Sequence, residues 1–82
     1  MVEIRFDKKF TAMFSKLKDN SMKKKIIKQI KKISENPEAG KPVRYERRGT
    51  RELYIDSFRL SYAYLQKESI VYMLALYHKK KQ

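Results

Sequence analysis

The residues able to do chemistry gather in the last third of the chain, from Arg51 to Lys81 (RELYIDSFRLSYAYLQKESIVYMLALYHKKK). A lone arginine, Arg59, stands inside an apolar and aromatic run. A basic cluster of His78, Lys79, Lys80 and Lys81 follows the last one. A guanidinium is always charged and offers paired donors to a phosphate or carboxylate. An imidazole, with an ordinary pKa of about 6.5, exchanges a proton near neutral pH. Upstream, Lys41, Arg44, Arg47 and Arg48 add cations to the stretch EAGKPVRYERRGT. This inventory suits an anion. Plainer roles stay open: Arg59 as an exposed arginine that keeps a sheet soluble, and HKKK as no more than a basic terminus.

The charge balance says the same of the whole chain. Lys and Arg number 21 against 9 Asp and Glu, a net charge of +12 in 82 residues. Such an excess attracts polyanions through phosphate neutralisation and counterion release. It attracts an acidic protein or an anionic membrane surface by the same physics. The basic residues are spread along the chain, so they decorate a folded surface.

Other classes drop out. With no cysteine there is neither a disulfide framework nor a thiolate metal site, and a single histidine makes a zinc site a poor fit. No metal site and no cofactor are expected. No apolar run approaches the roughly 20 residues that span a bilayer, and MVEIRFDKKF lacks the apolar core of a signal peptide. The expectation is a cytoplasmic protein with no membrane partner, folded as one domain over residues 1–82.

The elements that must position the basic residues read as follows. Val2, Ile4 and Phe6 alternate with Glu3 and Arg5, which predicts a short strand. Asp7 stands where a helix N-cap belongs, and Phe10, Met13, Phe14 and Leu17 then recur at helical spacing. Asp19-Asn20-Ser21 reads as a turn that caps a second helix over Met22–Ser34. There Ile26, Ile27, Ile30 and Ile33 form one stripe and lysines fill the rest. That lysine face reads more simply as solvated surface than as an RNA contact. Asn36-Pro37 ends the helix. Three strands follow, with turns at Asp56-Ser57 and Gln66–Ser69. In the middle strand Phe58, Leu60, Tyr62 and Tyr64 share one face; Arg59, Ser61, Ala63 and Leu65 share the other. Aromatics suited to base stacking fall mostly on the predicted core face. The fold class is α+β, with the order β-α-α-β-β-β.

This order, together with NPEAGKP, RELYIDSFRLSYAY and a hydrophobic strand closing in YHKKK, resembles the RelE/ParE superfamily of bacterial and archaeal toxins. The similarity runs from Phe6 to Lys80 and rests on order and spacing more than on any single motif. It is nearer to the RNA-cleaving RelE-like branch than to the gyrase-poisoning ParE branch. The resemblance implies a helical hairpin packed on one face of a small, mainly antiparallel sheet. It implies a toxin neutralised by a cognate RelB-like antitoxin, and a metal-independent endoribonuclease that cuts mRNA in the ribosomal A site. In that reaction the 2′-hydroxyl attacks the adjacent phosphate, leaving a 2′,3′-cyclic phosphate and a 5′-hydroxyl. A base, an acid and cations for the phosphoryl oxygens are needed. The alternative is a toxin that binds DNA gyrase, or a relative acting by protein binding alone.

Carried over residue by residue, the resemblance makes Arg59 the clamp on the scissile phosphate, His78 an acid or base, and Lys79 a stabiliser of the phosphorane. Lys41, Arg44, Arg47, Arg48, Arg51, Lys80 and Lys81 would hold the RNA backbone. Glu52 and Tyr54 stand where one branch has lysines. Glu52, or Glu46 in the preceding loop, is either a carboxylate base or a salt-bridge partner for nearby arginines. Many RNA-cleaving relatives continue past the basic dipeptide to a tyrosine that stacks on the substrate base. No tyrosine follows Tyr77 here. The open expectations are that Tyr77 or Tyr54 substitutes, that the ribosome completes the site, or that the nuclease is weak or inactive.

Overall fold

The computed structural model describes residues 2–42 and 49–78. The expectations for Arg44, Glu46, Arg47, Arg48, Lys79, Lys80 and Lys81 therefore lie outside the described residues. Element order is β1 (Glu3–Phe6), α1 (Lys8–Lys16), α2 (Asn20–Glu35), β2 (Lys41–Pro42), β3 (Thr50–Ile55), β4 (Phe58–Leu65) and β5 (Ile70–His78). The α+β order stands as expected, with the two-residue β2 added at one edge.

Local chemistry sets the helix ends. The Asp7 carboxylate accepts from the Lys9 backbone N–H at 2.9 Å and caps α1. Asp19 accepts from the N–H groups of Ser21 and Met22. One carboxylate thus does the capping, and Asn20 and Ser21 belong to the first turn of α2 instead of to a turn before it. Asn36 closes α2 by donating its backbone N–H to the Lys32 carbonyl.

The sheet has strand order β1-β5-β4-β3-β2. β1 runs parallel to β5, and the remaining pairs are antiparallel. The first strand therefore lies beside the last, which ties the two ends of the described chain together. Phe10, Ile26 and Ile33 from the helices meet Ile55, Leu60, Tyr62, Val71, Met73 and Leu76 from one face of the sheet, all buried. Each fully buried Ile or Leu contributes about 1.5–3 kcal/mol, so this one-sided core is what flattens the helices onto the sheet. Phe6, expected on the core side of β1, sits at its rim and is 46% exposed.

Two details shape the other side. Ser61 pairs with Ala75 whereas Tyr62 pairs with Met73, so Leu74 is an extra residue in β5. Such a bulge breaks the period-two alternation of a strand. Before it, Val71 and Met73 face the core; after it, Leu76 does. The second detail is the segment from Pro37 to Gly40. The buried Tyr62 hydroxyl donates to the Pro37 carbonyl and accepts from the Gly40 N–H, each at 2.8 Å. Arg51 Nη1 donates to the carbonyls of Gly40 at 2.8 Å and Glu38 at 3.2 Å. A Cβ at Gly40 would lie 2.8 Å from the Tyr62 hydroxyl and 2.9 Å from the Glu52 carbonyl, closer than real contacts allow. Only glycine fits there.

Among the described residues, no helix is long and apolar enough to cross a membrane.

Candidate active site

The β3–β4 hairpin places the site. Its turn at Asp56-Ser57 sets the register Ile55↔Phe58, Tyr54↔Arg59, Leu53↔Leu60, Glu52↔Ser61 and Arg51↔Tyr62. Residues directly opposite share a face. Leu60 and Tyr62 face the helices, so Arg51, Leu53 and Ile55 do too. Arg59, Glu52 and Tyr54 lie on the face away from them. On the far side of β4, Arg59 pairs with Tyr77 and Phe58 with His78. Lys41 opposes Glu52 across β2 and joins the Arg59 face.

The result is a cluster around one guanidinium. The Arg59 Cζ is 5.1 Å from the Tyr54 ring centroid and 5.6 Å from that of Tyr77, within cation–π range of both. Its Nε lies 3.9 Å from Glu52 Oε1. The other Glu52 oxygen accepts from the Tyr77 hydroxyl at 3.1 Å. Arg59 Nε is buried and has no hydrogen-bond partner among the described residues. A buried donor left in that state costs free energy unless an acceptor arrives. The surroundings raise the Arg59 pKa above the ordinary arginine value. A hydrogen bond with the Tyr77 side chain is the largest cause, desolvation opposes it, and Tyr77, Tyr54 and Glu52 add coulombic support. The cation is permanent.

Beside this cluster, at the β2–β3 edge, lies an open groove of about 470 Å³. Ala39, Lys41, Pro42, Glu52, Leu53 and Tyr54 line it.

The sheet thus divides the candidate residues. Arg59, Glu52, Tyr54, Tyr77 and Lys41 are brought together. Arg51 is on the helix side, bonded to the Glu38 and Gly40 carbonyls and 3.9 Å from the Glu38 carboxylate. His78 is on the Phe58 side, its ring edge-on to Phe58 at 5.2 Å. Tyr54, Tyr72 and Tyr77 lie on the open face, so fewer aromatics serve the core than the pattern predicts. Sequence reasoning missed the Tyr77–Glu52 contact and the groove wall at Ala39 and Pro42. The two-residue turn at Asp56-Ser57 was the available signal for part of this, because it forces Tyr54 opposite Arg59.

The arrangement offers a fixed cation, a carboxylate and a phenol on one open surface. This is equipment for an anionic ligand and for proton transfer.

The family model described as the ParE toxin of type II toxin-antitoxin systems, parDE, matches residues 4–82. The chain belongs to that family. It is therefore a type II toxin of the RelE/ParE superfamily. Structural matches agree in fold. The toxin superimposes on a chain of the intact E. coli RelBE toxin-antitoxin complex with a TM-score of 0.84 at 15% identity, covering 100% of both chains. The RelBE2 complex from Mycobacterium tuberculosis gives 0.82 at 24% identity, over 94% of the toxin and 96% of that chain. A YoeB/ParE toxin from Agrobacterium tumefaciens gives 0.82 at 14% identity, over 94% and 98%. Comparison with curated protein sequences returns no match.

Proposed function

We propose that this toxin is a ribosome-dependent endoribonuclease that cleaves mRNA in the A site, and that its chemistry is centred on Arg59. The observation that carries the reading is the buried Arg59 Nε with no hydrogen-bond partner, on an open face between two tyrosine rings. A scissile phosphate docked there supplies the missing acceptor and meets a permanent charge.

The reaction then uses side chains already in contact. Glu52 takes the proton from the 2′-hydroxyl as that oxygen attacks the adjacent phosphorus. Arg59 stabilises the charge that gathers on the non-bridging oxygens, which is where a fixed cation acts most strongly. The bond to the 5′-oxygen breaks, and the Tyr77 hydroxyl, a donor in the resting state, supplies the proton to the leaving oxygen. Products are a 2′,3′-cyclic phosphate and a 5′-hydroxyl. No metal enters this scheme. His78, on the Phe58 side, supports the strand end, and Lys79 adds charge to the phosphate path. A cognate RelB-like antitoxin is the expected partner, its acidic segment drawn by the net charge of +12.

The test is primer extension on a reporter message in a reconstituted translation system, with wild type and Arg59→Ala. Cuts within A-site codons that need ribosomes and vanish in the variant support the reading; a folded wild type that makes no cuts overturns it. The ParE family match favours a second reading, binding to DNA gyrase. Under that reading induction causes DNA damage without message cleavage.

A further inference from the structure

The two edges of the sheet are finished differently. At one, β2 is two residues long, Lys41 and Pro42, and offers little to a further strand. At the other, β1 has no proline and, among the described residues, pairs with β5 alone. Glu3 and Asp7 donate their N–H groups to the carbonyls of Ser69 and Met73. Backbone groups point to alternate sides along a strand, so Glu3, Arg5 and Asp7 bond toward β5. Val2, Ile4 and Phe6 turn their N–H and C=O groups to the outer edge, where they are a template for another strand. The side chains alternate as well. Ile4 lies beside the buried Val71, so Val2, Ile4 and Phe6 face the helices, with Phe6 46% exposed at the rim. Glu3 and Arg5, both exposed, share the open face, where Arg5 Nε donates to Glu3 Oε2 at 2.8 Å.

We infer that β1 is the contact through which two copies of this chain associate, pairing antiparallel across a two-fold axis at Ile4 and joining two sheets into one. Self-recognition lies in the order Val-Glu-Ile-Arg-Phe over residues 2–6. Pairing about Ile4 sets Val2 against the partner's Phe6 and Ile4 against the partner's Ile4. Their backbone groups point outward, so each such pair exchanges two hydrogen bonds. The same register sets Glu3 against the partner's Arg5, and Arg5 against the partner's Glu3. Those are the non-hydrogen-bonded pairs, whose side chains approach most closely, and opposite charges there stabilise the ladder. Moving the axis to Glu3 or to Arg5 would oppose like charges, so the register is fixed as well as the partner. Arg5 bonds its own Glu3 through Nε, which leaves the terminal nitrogens of the guanidinium for the partner's carboxylate. The exposed Phe6 ring gains the partner's Val2 as an apolar neighbour. Any strand could satisfy the backbone edge, but a second copy also matches the charges and the apolar ends. The net charge of +12 on each copy repels at long range, so the dimer is weak. Both open faces lie on the same side of the joined sheet, and the Arg59 clusters stay uncovered; the inference stands apart from the RNase reading.

The test is sedimentation velocity on the full chain over a concentration series at about 0.15 M salt. The screening length near 8 Å then mutes the long-range repulsion but not charges in contact. Wild type shows a monomer–dimer equilibrium. Glu3→Arg and Arg5→Glu each turn both facing pairs into like-charge pairs and weaken dimerisation by roughly 5- to 30-fold. Glu3→Arg raises the net charge of +12 and Arg5→Glu lowers it, so a general charge effect would move the two in opposite directions. Mixing the two variants restores association, because each copy then meets opposite charges on the other. The double variant Glu3→Arg/Arg5→Glu restores it within one chain. All these side chains are exposed, and thermal melts at the wild-type temperature show that the fold is intact. Wild type that stays monomeric at every concentration overturns the inference. So does a dimer that neither single variant weakens, or a pair of variants that fails to associate on mixing; a contact elsewhere than β1 then holds the copies together.

Discussion

Arg51 and Arg59 sit on adjacent strands of one small sheet and are almost equally exposed, with side chains 22% and 21% accessible. Exposure does not separate them; hydrogen bonding does. Arg51 turns toward the helices and donates to two backbone carbonyls, holding the segment that follows α2. Arg59 turns toward the open face, where its neighbours are two aromatic rings and a carboxylate too distant to bond its buried Nε. One arginine spends its bonds on the backbone of the fold, and the other keeps a buried Nε unpaired beside the open face. A cation's function follows from which acceptors the sheet register gives it, not from residue type or burial.

The contrast can be broken at its strongest point first. Arg59→Ala should lower A-site cleavage by roughly 10²–10³-fold, the size of losing a preorganised donor to a developing oxyanion. Its melting temperature should stay near that of wild type. A variant that cleaves normally removes Arg59 from the chemistry. Next, Glu52→Gln keeps the Tyr77 contact possible but cannot take a proton. Single-turnover cleavage should fall by about 10²-fold or more, with RNA affinity unchanged or higher, since the negative charge beside Arg59 is gone. His78→Ala should cost less than either, because the ring faces Phe58.

The Arg51 side should answer in stability instead. Arg51→Ala frees the Gly40 carbonyl and should destabilise by about 1–3 kcal/mol in urea melts, with any cleavage loss traceable to the unfolded fraction. Tyr62→Phe leaves the Pro37 carbonyl and the Gly40 N–H without their partner and should cost a similar amount. Burial, the largest influence, raises the Tyr62 pKa above its usual value near 10, while the Gly40 bond and Arg51 work the other way. The folded state therefore keeps that proton after the unfolded chain has begun to lose it. The stability tied to Tyr62 is complete below about pH 10 and declines as pH rises through the raised value. Wild type should lose stability across that alkaline window, and Tyr62→Phe should lose less. The smallest effect belongs to the exposed Lys25–Asp56 pair, 2.7 Å apart. Lys25→Ala should leave the melting temperature within error at ordinary ionic strength.

Much of this was legible in the residue pattern. Capping carboxylates at Asp7 and Asp19 and the Asn36-Pro37 stop are local signals, and local hydrogen bonding or sterics carried them out. Of the isoleucine stripe of α2, Ile26 and Ile33 are buried and Ile30 packs against the core, whereas Ile27, expected with them, is 55% exposed. The alternation Phe58, Leu60, Tyr62, Tyr64 against Arg59, Ser61, Ala63 settled which side of β4 Arg59 takes. Pairing β1 with β5 was not legible, because it joins chain segments with no sequence signal between them. Nor was the role of Arg51, which reads from its neighbours like any other cation near the site.

The sequence by itself determined the elements, the excess of positive charge and the placing of Arg59 opposite Tyr54, all through short-range periodicity and one tight turn. Only the tertiary structure decided what β5 presents to that arginine. Unbroken alternation from Val71 would have put His78 on the Arg59 face and Tyr77 in the core. The extra residue at Leu74 reverses both. A bulge of that kind is set by how β5 must pair with β4 while burying Leu76 against the helices, a demand that exists only once distant segments have met.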